Sequence, residues 1–202
     1  MHELIEMLRD KRSPKRRSAA KKLRKLGSIE AGSALLTALE REFKDKRTWE
    51  TQYQMIMAIG ECVYKPALPF LNEIKIQTFE ATMVYVAIGD AIVRLSSENK
   101  TDVSSVIDLL KLDNPMLSDG ALRAMAMLKM VPSDSEIDNI IQYVSNSSVN
   151  EGIHFWVIAA APGWSSQTVE DYLNLCGQSE REEVTNAVEL ARKGKYKKWN
   201  PL

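Results

Sequence analysis

The sequence predicts an all-α fold of paired helices stacked as an α-solenoid, and three observations carry that prediction. The first is recurrence. Residues 15–27 read KRRSAAKKLRKLG and close on Gly27, and TWETQYQMIMAIG closes on Gly60, 33 residues later. Near the C-terminus Gly163 and Gly194 stand 31 residues apart, the second closing VTNAVELARKG. Periods of this length mark architectures in which each unit covers the apolar face of the next. The second is composition: only 9 Gly and 7 Pro in 202 residues, against many Ala, Leu, Met, Glu and Lys, favour helix throughout. The third is periodicity, with apolar residues returning at helical spacing between short connections rich in Gly, Pro, Ser, Asn and Asp. The strand-like stretch IKIQTF, at 74–79, is brief and flanked by helical pattern.

Taken in order, helices are expected at 2–9, 14–26, 29–44, 48–62, 65–77, 79–96, 102–112, 116–130, 134–146, 149–161, 166–177 and 180–194. Ser13 is placed as the N-cap of the second helix, with Pro14 in its first turn. These elements make five to six pairs in a single elongated domain over 1–194, followed by a basic tail over 195–202. On the helix 15–26 the residues Ala19, Ala20, Leu23 and Leu26 form the buried stripe, with Arg16 on its flank. Arg17, Lys21, Arg24 and Lys25 face the other way. The segments 121–131 and 152–162 are apolar around most of their circumference and need cover on every side, from a tight superhelix or from a partner. Met55, Met57, Met125, Met127 and Met130 add adaptable contact area.

The formal net charge is zero, yet the charges are zoned. Residues 1–50 carry 14 Lys/Arg against 8 Asp/Glu, a net of +6, and residues 51–190 carry 8 against 19, a net of −11. Arg192, Lys193, Lys195, Lys197 and Lys198 make the end basic again. Ten of the seventeen residues from Arg9 to Lys25 are basic. Two readings stay open for that helix: a solvated charged face, or contact with an anionic partner.

Asp10, Arg16, Ala19, Ala20, Leu23, Leu26 and Gly27, followed by Ala31, Leu35, Leu36 and Leu39, resemble the HEAT repeat in its short bacterial form. A second copy keeps Ile56, Ile59, Gly60, Pro66, Ala67, Leu68 and Leu71. It departs where Trp49 stands at the Arg position and Gln52 and Tyr53 replace the Ala pair. The resemblance is strong over 10–75, degraded over 80–165 and partly recovered at 184–194. It implies a right-handed α-solenoid of about five to six HEAT-like pairs, armadillo-like, with the second helix of each pair lining the concave side. It also implies a ladder role for Arg16, bonding an Asp of the adjacent unit.

Catalytic signals are thin. His2 and His154 are the only histidines, and a buried His154 bonded to a backbone carbonyl is the expectation. No Cys/His cluster has zinc spacing, and no phosphate loop or nucleophile elbow occurs. No catalytic residue, cofactor or metal is therefore expected. Cys62 and Cys176 suit buried free thiols in a reducing compartment. With no apolar run near the roughly 20 residues that span a bilayer, and no secretory-type start, a cytoplasmic protein without membrane contact is expected.

The reading of function is a non-enzymatic protein–protein interaction module, an adaptor or an inhibitor of immunity type, clasping a partner protein in its concave groove. The acidic middle suits a basic partner such as a toxin or enzyme domain. Arg17, Lys21, Arg24, Lys25, Trp49, Tyr53, Met57 and Trp156 are the candidate contacts, Trp and Tyr being frequent interface anchors. Tyr196 and Trp199 either tuck back or grip a partner. The alternative is nucleic-acid binding through the N-terminal basic helix. Its remote case is an enzyme similar to HEAT-like alkylpurine DNA glycosylases, with Trp49, Trp156 and Trp164 in a basic groove. The acidic middle opposes a long phosphate track.

Overall fold

Each predicted helix has a counterpart in the computed structural model, which describes residues 1–148 and 151–198. Among those residues there are twelve α-helices and no strand. They are α1 (His2–Met7), α2 (Ser13–Leu26), α3 (Gly32–Glu42), α4 (Trp49–Glu61), α5 (Leu68–Ile74) and α6 (Met83–Ser96), then α7 (Ser104–Leu110), α8 (Pro115–Leu128), α9 (Asp134–Ser145), α10 (Gly152–Ala160), α11 (Gln167–Cys176) and α12 (Glu182–Arg192). Short 3-10 turns at Ile29–Ala31, Lys46–Thr48, Lys65–Ala67 and Ala161–Gly163 take up part of the expected helix length.

Side chains decide several ends. Asn114 caps α8 by accepting from the backbone N–H of Met116 and Leu117, and Ser133 with Glu136 forms a capping box on α9. Ser13 is not the N-cap of α2. That place falls to Arg12, and the Ser13 hydroxyl bonds Glu42 and Thr51 instead. The helix expected from residue 79 begins only at Met83. The Tyr85 hydroxyl accepts from the Phe79 N–H and donates to the Gln77 carbonyl, which satisfies that backbone outside a helix.

The chain divides into two compact units, residues 1–96 and 97–202. In the first, α4 packs between α2 and α6, while α1 lies on α2, α3 on α4 and α5 on α6. Arg17 pairs with Glu50, and Arg94 with Glu61, so α2, α4 and α6 stand side by side with an offset of 33 residues. Gly27 ends α2 in the left-handed region at φ 58°. Gly60 does something else: a Cβ there would lie 3.0 Å from the Ala91 Cα, so its bareness lets α4 and α6 approach. The two glycines that suggested the repeat therefore serve different purposes.

The acid that Arg16 bonds is a glutamate, where the resemblance implies an Asp. Arg16 grips Glu42 through two bonds, Nε–Oε2 at 2.6 Å and Nη2–Oε1 at 2.7 Å, and donates to the Asp10 carbonyl at 2.8 Å. Ala19, Ala20 and Leu23 are fully buried as expected, but Leu26 is 55% exposed while Arg24 is only 8% exposed. The buried arc of α2 is thus turned toward Arg24, which shares a face with Ala20 four residues earlier.

In the second unit α10 packs between α8 and α12, and α9 neighbours both α7 and α11. In the apolar segments 121–131 and 152–162, Leu122, Ala124, Met125, Val157 and Ile158 are buried, while Met127, Leu128, Ile153, Phe155 and Trp156 are half-buried. The Trp164 indole donates to the Met130 carbonyl at 2.9 Å. The tail folds back as far as it is described: the Tyr196 hydroxyl lies against Gly163, and Lys197 stands over the Phe155 ring at 4.7 Å. Trp199 lies outside the described residues.

Candidate interaction groove

Four of the eight residues selected from the sequence line one groove of about 660 Å³ in the first unit. Arg17 and Lys21 come from α2, Trp49 and Tyr53 from α4. The local reason is helix geometry: on each helix the two residues stand four apart, and so on one face. Pro14, Ser18, Glu50, Gln54 and Met83 complete the wall. Sequence reasoning missed these five, although the 33-residue offset holds the signal for Glu50, which sits one period after Arg17.

The groove mixes charge, aromatic surface and an unsatisfied acceptor. Arg17 is paired with Glu50, and both remain partly open to solvent. Such exposed pairs contribute little stability, about 0–1 kcal/mol, so another carboxylate can replace Glu50 at small cost. Lys21 is exposed and has no hydrogen-bond or ion-pair partner among the described residues. Trp49 is 37% exposed, an unusual position for so large an apolar side chain. The Gln54 side-chain oxygen is buried without a hydrogen-bond partner.

Trp49 also lines a second cavity, of about 560 Å³. This one is lined by Phe43, Phe79, Ala81 and Val84, with Lys46 and Arg47 and the buried Gln52. Phe43 meets both Phe70 and Phe79 edge to face, and Phe79 meets Tyr85, so the aromatic lining is braced from behind. Gln52 is braced too, donating to the carbonyls of Glu42 and Asp45. Asp45 accepts from the backbone and side chain of Arg47, and these bonds hold its carboxyl down at about 2. None of these cavity residues was among the sequence candidates, except Trp49. The loop between α5 and α6 is what brings Phe79 against Phe43.

The other candidates fall elsewhere. Arg24 is folded down and does not join the basic face, although Lys25, four residues after Lys21, does and is exposed. Met57 is fully buried, one turn past Tyr53, and offers nothing to a partner. Trp156 belongs to the second unit, where its indole donates to Asp119 at 2.8 Å and Arg123 stands over its ring at 5.9 Å. It is half-buried there, and burial raises the pKa of the Asp119 carboxyl that holds it.

His154 is buried as expected, the backbone of Ser147 and Val144 stands close enough to favour its protonated form, and a side-chain partner joins them. The His154 Nδ1 lies 2.8 Å from the Tyr172 hydroxyl and 3.7 Å from the Cys176 sulfur, and its Nε2 has no hydrogen-bond partner. Burial lowers the imidazole's pKa and raises those of the Cys176 thiol and the Tyr172 phenol. All three shifts favour neutral forms, the opposite of a thiolate–imidazolium pair built for nucleophilic attack. Among the described residues no group of three or more His, Cys, Asp or Glu side chains is arranged to hold a metal, and no helix is long and apolar enough to cross a membrane.

Comparison with protein-family models, with curated proteins and with solved structures finds no match to this chain.

Proposed function

We propose that this chain is a non-enzymatic protein-interaction module, a HEAT-like α-solenoid that holds a partner protein in the groove between α2 and α4. The observation that carries the reading is the convergence of Arg17, Lys21, Trp49 and Tyr53 on one cavity wall. Aromatic anchors beside charged rims are the usual anatomy of a protein interface. The groove is formed by neighbouring helices already braced by their own packing, which limits the ordering cost of binding. A role as adaptor or as inhibitor fits such a surface equally.

Nucleic-acid binding by α2 is the second reading, favoured by the exposure of Lys21, Lys22 and Lys25 along one helix. Affinity capture from a native lysate, with and without nuclease, separates the two. Wild-type protein and a Trp49→Ala, Tyr53→Ala variant serve as paired baits. A stoichiometric protein that survives nuclease and is lost with the variant supports the interaction module. Material that disappears with nuclease overturns it in favour of the second reading.

A further inference from the structure

We infer that the first unit recognises a short acidic segment of a partner protein that carries one bulky apolar side chain. The carboxylates lie along Arg17 and Lys21, and the apolar side chain fills the Phe43–Phe79 cavity across Trp49. This rests on the interaction reading above and names the chemistry of the partner.

Three observations carry it. The two cavities share Trp49 as a common wall, so an extended chain crossing that indole reaches both within a few residues, at about 3.3 Å each. Their linings differ in kind. The first offers Arg17 and Lys21, while the second is built largely of Phe43, Phe79, Ala81 and Val84 and, at about 560 Å³, has more than enough room for one large side chain. The charge around them is positive on balance: residues 1–96 carry 17 Lys/Arg against 12 Asp/Glu, a net of +5, and Glu50 and Glu80 are the acids in the two walls beside Arg17, Lys21, Lys46 and Arg47. A basic partner would meet this field unfavourably.

Glu50 sharpens the inference, because it occupies Arg17 in the free protein as a carboxylate of the partner would in the complex. A nucleic acid satisfies this arrangement poorly. Glu50 opposes phosphates as much as carboxylates, but a nucleic acid carries no flexible aliphatic or benzyl group for the cavity lined by Phe43 and Phe79.

The test is fluorescence anisotropy with labelled peptides that carry three Glu or Asp residues followed by Phe, Leu or Ala, the spacing varied by one residue at a time. Acidic peptides ending in Phe or Leu are expected to bind, and the Ala peptides to bind roughly tenfold more weakly. Arg17→Glu with Lys21→Glu should weaken binding at least about tenfold and flatten its salt dependence. Ala81→Phe, which fills the second cavity, should abolish the preference for Phe over Ala. One change should act in the unusual direction: Glu50→Gln frees Arg17 and tightens binding several-fold. Thermal melts of every variant exclude misfolding as the cause of a loss.

Equal binding of Phe and Ala peptides, or indifference to Ala81→Phe, overturns the two-cavity assignment. Failure of every acidic peptide, while a captured protein still depends on Trp49 and Tyr53, overturns the acidic partner and leaves the interaction reading intact. Tighter binding of a single-stranded oligonucleotide of equal charge, lost with Arg17→Glu, overturns both.

Discussion

His154 and Val63 are the residues whose surroundings depart furthest from what their side chains prefer. A buried imidazole with a lowered pKa gains a proton more readily once the chain unfolds. Above the ordinary value of 6.5 both states are neutral and nothing changes. Below it the unfolded state binds the proton first, so stability falls as pH falls through that value and on toward the lower folded one. Urea unfolding followed by tyrosine and tryptophan fluorescence between about pH 7.5 and about pH 5.5 should show this loss in wild type and little of it in His154→Phe. A pH-independent midpoint in wild type would contradict the neutral buried imidazole. Val63 sits at φ 51°, where a β-branched residue is strained, and is 47% exposed, so little packing is at stake. Val63→Asn is expected to stabilise by about 0.5–1 kcal/mol, read as a shifted denaturant midpoint at unchanged m.

Close helix approach at Gly60 and the buried Arg16–Glu42 pair hold the elements of the first unit together. Gly60→Val pushes a branched side chain against the Ala91 backbone, where nothing can rotate away, and should cost about 3 kcal/mol or more. Gly152→Ala, with nothing within 4 Å of the new methyl, should be neutral or stabilising by up to about 1 kcal/mol. If the two substitutions had equal effects, the α4–α6 approach would not be what Gly60 permits. Glu42→Ala leaves the Arg16 guanidinium, 18% exposed, without its bidentate acceptor. A loss of about 3–5 kcal/mol is expected, the range for breaking a buried pair from one side. Chemical denaturation measures it, and a cost near that of a surface pair would show that water replaces the carboxylate.

Across the whole molecule the charges divide with the units. Residues 1–96 carry a net of +5, and residues 97–202, with 10 Lys/Arg against 15 Asp/Glu, a net of −5. A balanced total therefore conceals two surfaces of opposite sign, which steer partners rather than stabilise the fold. For the acidic peptides above, the association rate should fall several-fold between about 50 and about 200 mM salt, with the dissociation rate changing less. Stopped-flow mixing reads both rates. A rate indifferent to salt would place the recognition in the apolar cavity alone.

Much of this was legible in the sequence because helices are local objects. Periodicity, caps and breakers act within a few residues, so the existence and order of all twelve helices, and the pairing of Arg17, Lys21, Trp49 and Tyr53 on two faces, could be read before any tertiary contact was known. The 33-residue recurrence likewise anticipated the offset at which α2, α4 and α6 stand. What only the tertiary structure decided is how far each helix is rotated against its neighbours. A turn of the buried arc on α2 exchanged Leu26 for Arg24, and the same kind of rotation closed Met57 beneath the surface. It is also tertiary placement, of the loop between α5 and α6 against α3 and α4, that opens the Phe43–Phe79 cavity, and the reach of α11 side chains to α10 that sets His154 beside Tyr172 and Cys176. Contacts between segments far apart in the chain carry no local signature, because each partner alone satisfies the helix pattern equally well.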